Sequence, residues 1–269
     1  MRRLALDHIT VTDSTPIELA EIAHATGCAA ICLFMEPMAV LPHMPAYDIY
    51  TDRQARLALK ARMDALGVGL DLAYPFTLAG RTEIEAFIPA LECAAELEAK
   101  MVNVLAYDRD PARRADKFAA FCDLAGRFDL PVAVEFYPPS QVPSLAEALA
   151  LVTPVGRPGR VGVNADLLHL MRSGGSVAEL AAAPADFILY GQVCDGPAQC
   201  LEASLDFEAS SQRCLIGDGV MDVAGFLAAL PENCPVSVEL PQESAIQSGV
   251  ARMTRAQQAV ESARKVLDA

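Results

Sequence analysis

Residues 101–136 read MVNVLAYDRDPARRADKFAAFCDLAGRFDLPVAVEF, and their pattern sets the expectation for the whole chain. Met101–Leu105 is a short aliphatic run, as a strand buried on both faces requires. Pro111–Phe128 follows with apolar residues at helical spacing and a proline in the first turn, where its missing N–H leaves no bond unmade. Val132–Phe136 is a second aliphatic run that carries Glu135 near its end. Two such strands joined through a helix make a β-α-β unit, whose strands run parallel.

The same alternation continues in both directions. Further strands are expected at Leu4–Ile9, Ala30–Phe34, Gly67–Leu72, Arg160–Val163, Phe187–Val193 and Val236–Leu240. Gly162 weakens the propensity of the Arg160–Val163 run. Helices are expected at Pro16–Gly27, Asp52–Leu66, Thr82–Lys100, Ser144–Val152, Ser176–Ala182, Asp222–Leu230 and Met253–Leu267. Thr15 before Pro16 is a cap and first-turn pair, and Thr82 with Glu85 has capping-box spacing. Strand-then-helix units roughly thirty residues apart point to an α/β fold, a (β/α)8 TIM barrel filling residues 1–269 as a single domain. An open doubly wound sheet uses the same units, but no GxGxxG follows the first strand and no change of composition marks a second half.

Composition agrees with that architecture. Hydrophobic residues make up 53% of the 269 and aromatics 6%, with no tryptophan, so the core must be aliphatic. The net charge is −14, from 21 Lys and Arg against 35 Asp and Glu, which repels phosphate backbones and anionic lipid. A small-molecule substrate is the expected partner, an anionic one included where a few arginines are placed locally, with neither nucleic acid nor membrane; a homo-oligomer stays open. The eight cysteines form no CxxC pair and several fall in apolar runs, where a thiol packs as a small hydrophobe. The charged Met1-Arg2-Arg3 start and the lack of an apolar run of membrane length predict a cytoplasmic protein.

In a closed barrel, chemistry gathers where the carboxyl ends of the strands converge. Four consecutive strands deliver an oxygen ligand there: Glu135 from the fifth, Asp166 from the sixth, Gln192 from the seventh and Glu239 from the eighth. Three carboxylates in a dry barrel mouth repel one another, and a divalent cation resolves that conflict. An oxygen-only shell suits Mg²⁺ or Mn²⁺ better than Zn²⁺ or Co²⁺, although these softer ions can also bind. Taken singly, each residue has an ordinary explanation: a glutamate can pair with arginine, Asp166 can cap a helix, and Gln192 can be a satisfied core amide. The constellation carries the weight.

Val134-Glu135-Phe136, Asp166-x-x-His169, Gln192-x-x-Asp195, Arg213-Cys-Leu-Ile-Gly217-Asp-Gly219 and Val236-Ser-Val-Glu239 together resemble the xylose isomerase-like superfamily of TIM barrels. The likeness spans the chain. It implies metal ligation by Glu135, Asp166, the strand-seven residue and Glu239, with the two glutamates also moving protons on opposite faces of a sugar. It implies that His169 touches substrate and that Arg213 and the glycine turn after it shape the pocket rim. Arg213, Arg109, Asp195 and His8 are the expected substrate-binding residues, with Glu36, Asp71, Asn103 and Tyr107 as further candidates for the lining.

Two departures from the family pattern matter. Most isomerases and epimerases of the superfamily have histidine where this chain has Gln192, and a glutamine carbonyl ligates without offering proton transfer. Some branches, including bacterial 3-dehydroshikimate dehydratases, look similar in having glutamine there. Cys194 stands where many of the sugar enzymes have lysine. The chemistry these features share is proton removal beside a metal-polarised carbonyl. Return of the proton elsewhere makes an isomerase or epimerase, the favoured reading. Loss of a β-hydroxyl makes a dehydratase of the 3-dehydroshikimate or inosose type, the alternative. Endonuclease IV chemistry needs a histidine-rich zinc cluster and a basic surface, which four histidines and an acidic balance do not supply. A non-catalytic ligand-binding barrel is the remaining rival.

Overall fold

The strand runs expected from the sequence form a closed parallel barrel in the order β1 to β8, with β1 hydrogen-bonded back to β8 through Leu4 opposite Val236 and Leu6 opposite Val238. The structure is a computed structural model and describes residues 2–268. The strands are β1 (Leu4–Asp7), β2 (Ala30–Phe34), β3 (Gly69–Leu78), β4 (Met101–Ala106), β5 (Val132–Glu135), β6 (Val161–Asp166), β7 (Ile188–Val193) and β8 (Val236–Val238). The helices are α1 (Pro16–Ala25), α2 (Arg53–Leu66), α3 (Ile88–Glu96), α4 (Pro111–Gly126), α5 (Leu145–Val152), α6 (Leu167–Arg172), α7 (Val177–Ala182), α8 (Leu205–Ser211), α9 (Val223–Ala229), α10 (Glu243–Gln247) and α11 (Arg252–Leu267).

Three differences from the sequence reading have local causes. The helix expected from Thr82 begins later, because Pro89 has no N–H to give and its ring would clash one turn back. A 3₁₀ turn over Ile84–Phe87 precedes α3, and Thr82 donates to the Thr77 carbonyl instead of capping a helix. The sixth strand is longer than expected and includes Asn164 and Asp166. Gly162 serves it, since a Cβ there would lie 2.4 Å from the Phe187 carbonyl oxygen. The short helices α6, α8 and α10 were not expected; α6 follows β6 directly, and α8 and α10 lie in the segments after β7 and β8, at the carboxyl end of the barrel.

Strand residues divide by period two between two cores. One set, with Leu6, Ile31, Val104, Val134 and Val238, packs outward against the helices. The other, with Ala5, Cys32, Leu72, Ala133 and Tyr190, fills the barrel interior. Six of the eight cysteines are buried and all are free thiols, as expected of small hydrophobes. No helix among the described residues is long and apolar enough to cross a membrane.

Candidate active site

Parallel register brings the polar strand ends to one level: Glu135 lies beside Asn164, Asp166 beside Gln192, and Gln192 beside Ser237. Glu135 and Gln192, with Glu239 just after β8, line a cavity of about 430 Å³ at the carboxyl end of the barrel. Ligand pockets commonly hold about 300–1,000 Å³, so the space suits a small metabolite.

Glu135, Asp166 and His169 each offer a ligand atom, and those atoms lie within 4.8 Å of one another. Asp166 Oδ1 accepts the His169 N–H at 2.9 Å and caps α6, so the Asp-x-x-His spacing is a helix start as well as a site motif. His169 Nε2 sits 3.3 Å from Glu135 Oε1, and its ring packs 4.9 Å from that of Tyr137. Asn103 Nδ2 donates to Glu135 Oε2 at 2.5 Å.

Arg213 is not on the rim where the sequence reading put it. It is buried in the floor, with Nη1 2.7 Å from Asp166 Oδ2 and Nη2 2.8 Å from Glu239 Oε1. Its partners are thus two of the expected ligand carboxylates rather than a neighbouring surface acid. Burial raises the Asp166 carboxyl, but Arg213 and His169 outweigh that and hold it below its ordinary value. Glu239 is pushed well above the carboxylate range by burial, only partly opposed by Arg213 and reinforced by Asp7, Asp166 and Glu135. Its Oε2 is buried without a partner.

These features fit a cation. The floor collects more carboxylate charge than one guanidinium can balance, and an orphaned oxygen points to a missing positive partner. The donors that the structure gathers are the carboxylates of Glu135 and Asp166 and the imidazole of His169, groups that divalent ions take.

Gln192 belongs to a chain of buried polar side chains whose other members, Asp7, Tyr74, Asn164 and Ser237, were not expected in the site. Gln192 Nε2 donates to Asp7 Oδ2 at 3.3 Å, and Gln192 Oε1 accepts from Asn164 Nδ2 at 2.6 Å. Tyr74 donates its hydroxyl to Asp7 Oδ1, and Ser237 donates to Oδ2 at 3.3 Å. Asp7 was readable as a charge inside the apolar run Leu4–Ile9, which is a signal in its own right. Burial lifts its carboxyl from 3.8 to about 6, against hydrogen bonds from Tyr74, Ile9 and Gln192. The folded metal-free protein therefore keeps a proton on Asp7 across pH 4 to 6, where the unfolded chain has lost it, so this group's contribution to stability falls as pH rises. Asp7→Asn should accordingly gain stability relative to wild type by about 3 kcal/mol between pH 4 and pH 7. Urea unfolding of both proteins with chelator present checks this; a gap independent of pH would mean that Asp7 titrates normally.

The remaining expected substrate contacts lie elsewhere. His8 is buried behind the wall, with Nε2 2.9 Å from the Ser14 carbonyl oxygen and its ring against Phe34 and Tyr47. Desolvation lowers it to about 4, so it is neutral near pH 7. Asp195 turns away from the cavity: its carboxylate accepts the backbone N–H groups of Gly196, Gly217, Gly219 and Met221 and so shapes the glycine turn. A Cβ at Gly219 would come 2.2 Å from Asp195 Oδ1, which is why glycine is needed there. Arg109 and Glu36 are exposed and do not line the cavity. Asp71 lies near the opposite end of the barrel, 3.2 Å from Arg3. Asn103 and Tyr107 do line the cavity.

A sequence profile described as xylose isomerase-like TIM barrel matches residues 20–267. The chain belongs to this family. Among solved structures it is similar to the IolI protein with a bound zinc atom, at 19% identity and TM-score 0.78, covering 99% of this chain and 98% of that one. It is also similar to the "probable 3-DHS dehydratase AsbF" of Bacillus anthracis, at 14% identity and TM-score 0.75, covering 100% and 99%. A D-psicose 3-epimerase determined in the presence of D-fructose shares 15% identity at TM-score 0.74, covering 99% and 100%. The chain spans 44% of the length of a further neighbour, a xylose isomerase-like TIM barrel/4-hydroxyphenylpyruvate dioxygenase fusion protein. These likenesses establish the barrel. No curated protein matches the sequence.

Proposed function

We propose that the protein is a divalent-metal-dependent isomerase or epimerase acting on a small, neutral, polyhydroxylated carbonyl compound. Glu135, Asp166, Gln192 and Glu239 hold the metal, with Mg²⁺ or Mn²⁺ preferred. The carrying observation is the pairing of charges. Among the described residues, Arg213 is the one arginine or lysine lining the cavity, and Asp166 and Glu239 already engage it. Beyond the metal itself, a substrate carboxylate would meet no uncommitted arginine or lysine there, whereas a neutral hydroxy-carbonyl compound needs none.

The bound metal supplies Lewis-acid polarisation of the substrate carbonyl. Glu135 and Glu239 reach the cavity from β5 and β8 and serve as the proton carriers. Asn103 and His169 fix the Glu135 carboxylate, and Arg213 fixes that of Glu239. Partner assignments follow the same reading: a small molecule, without nucleic acid or membrane, in the cytoplasm.

A second reading, a dehydratase, is favoured by Gln192. Asp7 and Asn164 hold its amide on both sides, and an amide moves no proton, so a single carboxylate pair must suffice. The test is incubation with Mn²⁺ in deuterated water with a panel of ketoses and, separately, with 3-dehydroshikimate. Deuterium incorporation and interconversion of ketoses is the expected result. Enone or aromatic absorbance from the acid alone would replace the isomerase reading with the lyase one.

Ligation by Gln192 makes a separate prediction. Gln192→His should move metal preference toward Co²⁺ and Zn²⁺, because imidazole suits borderline cations better than an amide oxygen does. Competition binding in both proteins reads this directly; an unchanged order would remove Gln192 from the metal.

A further inference from the structure

The cavity is divided between two chemistries along the chain. Strands β5 to β8 and the segments after them contribute its acids, amide, imidazole and guanidinium. Strands β1 to β4 and the segments after them contribute a largely apolar wall of Ile9, Phe34, Met38, Leu41, Pro75 and Leu105, interrupted by Tyr74, Asn103 and Tyr107. In a closed barrel these two sets of strands face each other across the mouth.

The wall is a built surface. Tyr47 donates its hydroxyl to the Phe34 carbonyl at 2.7 Å and ties down the long segment after β2. That segment presents Met38 and Leu41 to the cavity, together with Val40, which is 75% exposed. On β4, period-two alternation places Leu105 on the same face as Asn103 and Tyr107. Polar atoms for a ligand's far end are few. The Asn103 amide is committed to Glu135 and the Tyr74 hydroxyl to Asp7, which leaves the Tyr107 hydroxyl as the one other side-chain polar group on this half of the lining.

From this division we infer that the substrate is a hydroxy-ketone whose end remote from the reacting carbonyl is deoxygenated, an alkyl terminus seated on the β1–β4 wall. The inference rests on the proposed function for the orientation of the carbonyl toward the acidic half. A hydroxyl placed on the wall gives up its water without gaining a partner, whereas a methyl or methylene gains contact. Discrimination of about tenfold for each hydroxyl removed follows from a pocket of this kind.

The experiment is calorimetric binding, with Mn²⁺ present, of a ketohexose, its 6-deoxy counterpart and its 5,6-dideoxy counterpart. Each should bind about tenfold more tightly than the one before. Met38→Gln, on a loop, and Leu105→Asn, on β4, should each bring the affinities together or invert their order. Equal or tighter binding of the parent ketohexose overturns the inference, as does failure of all three to bind in the millimolar range. Deuterium exchange at the carbon beside the carbonyl is followed in the same mixtures. Tight binding of the deoxy compounds without exchange would retire the proposed reaction while leaving the wall's preference standing.

Discussion

Arg213→Ala is expected to destabilise the metal-free protein by about 3–5 kcal/mol, because it strands two buried carboxylates. The guanidinium is 3% exposed and holds Asp166 and Glu239 at 2.7 and 2.8 Å. For a chain of this size the loss corresponds to roughly 10 °C in Tm. Its pH dependence has a definite sign. Without Arg213, both carboxyls take up protons more readily in the folded state, so the deficit should be largest near pH 8 and shrink toward pH 5. Added Mn²⁺ should restore stability to the variant more than to wild type, since it meets the charge that the arginine balanced. Denaturant unfolding at three pH values with and without Mn²⁺ measures all of this. A loss below about 1 kcal/mol would show that the pair behaves like a surface ion pair.

The second large effect is catalytic. Glu135→Gln and Glu239→Gln should each weaken metal binding and lower turnover by about 10²–10⁴-fold, the usual contribution of a positioned proton carrier. Stability should separate the two losses from misfolding. Glu239→Gln removes a carboxyl whose charged form burial and the neighbouring acids disfavour, and its amide oxygen can still accept from Arg213, so the metal-free variant should be at least as stable as wild type. Glu135→Gln keeps an acceptor for Asn103. Metal stoichiometry, turnover and urea midpoints on both variants make the comparison. Wild-type metal content and activity in both would end the assignment of these residues.

Most of the barrel was legible in the chain because its signals are local. An aliphatic run, a capped amphipathic helix and a polar residue at a strand end each depend on a few neighbouring residues. Glu135, Asp166, Gln192 and Glu239 could be placed at one level because a closed parallel barrel puts all strand ends on the same side. Local rules also failed locally. Pro89 overrode the capping-box spacing of Thr82 and Glu85, and Gly162, which lowers strand propensity, proved to be required by the Phe187 carbonyl.

What the sequence by itself determined was the period of the elements and the strand ends that carry oxygen donors, since both follow from alternation along the backbone. Only the tertiary structure decided where long and buried side chains spend their polar atoms. Arg213 reaches from the segment after α8 to carboxylates at the end of β6 and just after β8, and Asp7 on β1 meets Gln192 on β7. Asp195, expected at the substrate, instead gathers four backbone N–H groups, and the apolar wall joins residues from strands far apart in the chain. Such pairings depend on barrel closure and register, which bring distant residues within about 3 Å, the reach of a hydrogen bond, and leave no mark on the residues adjacent in sequence.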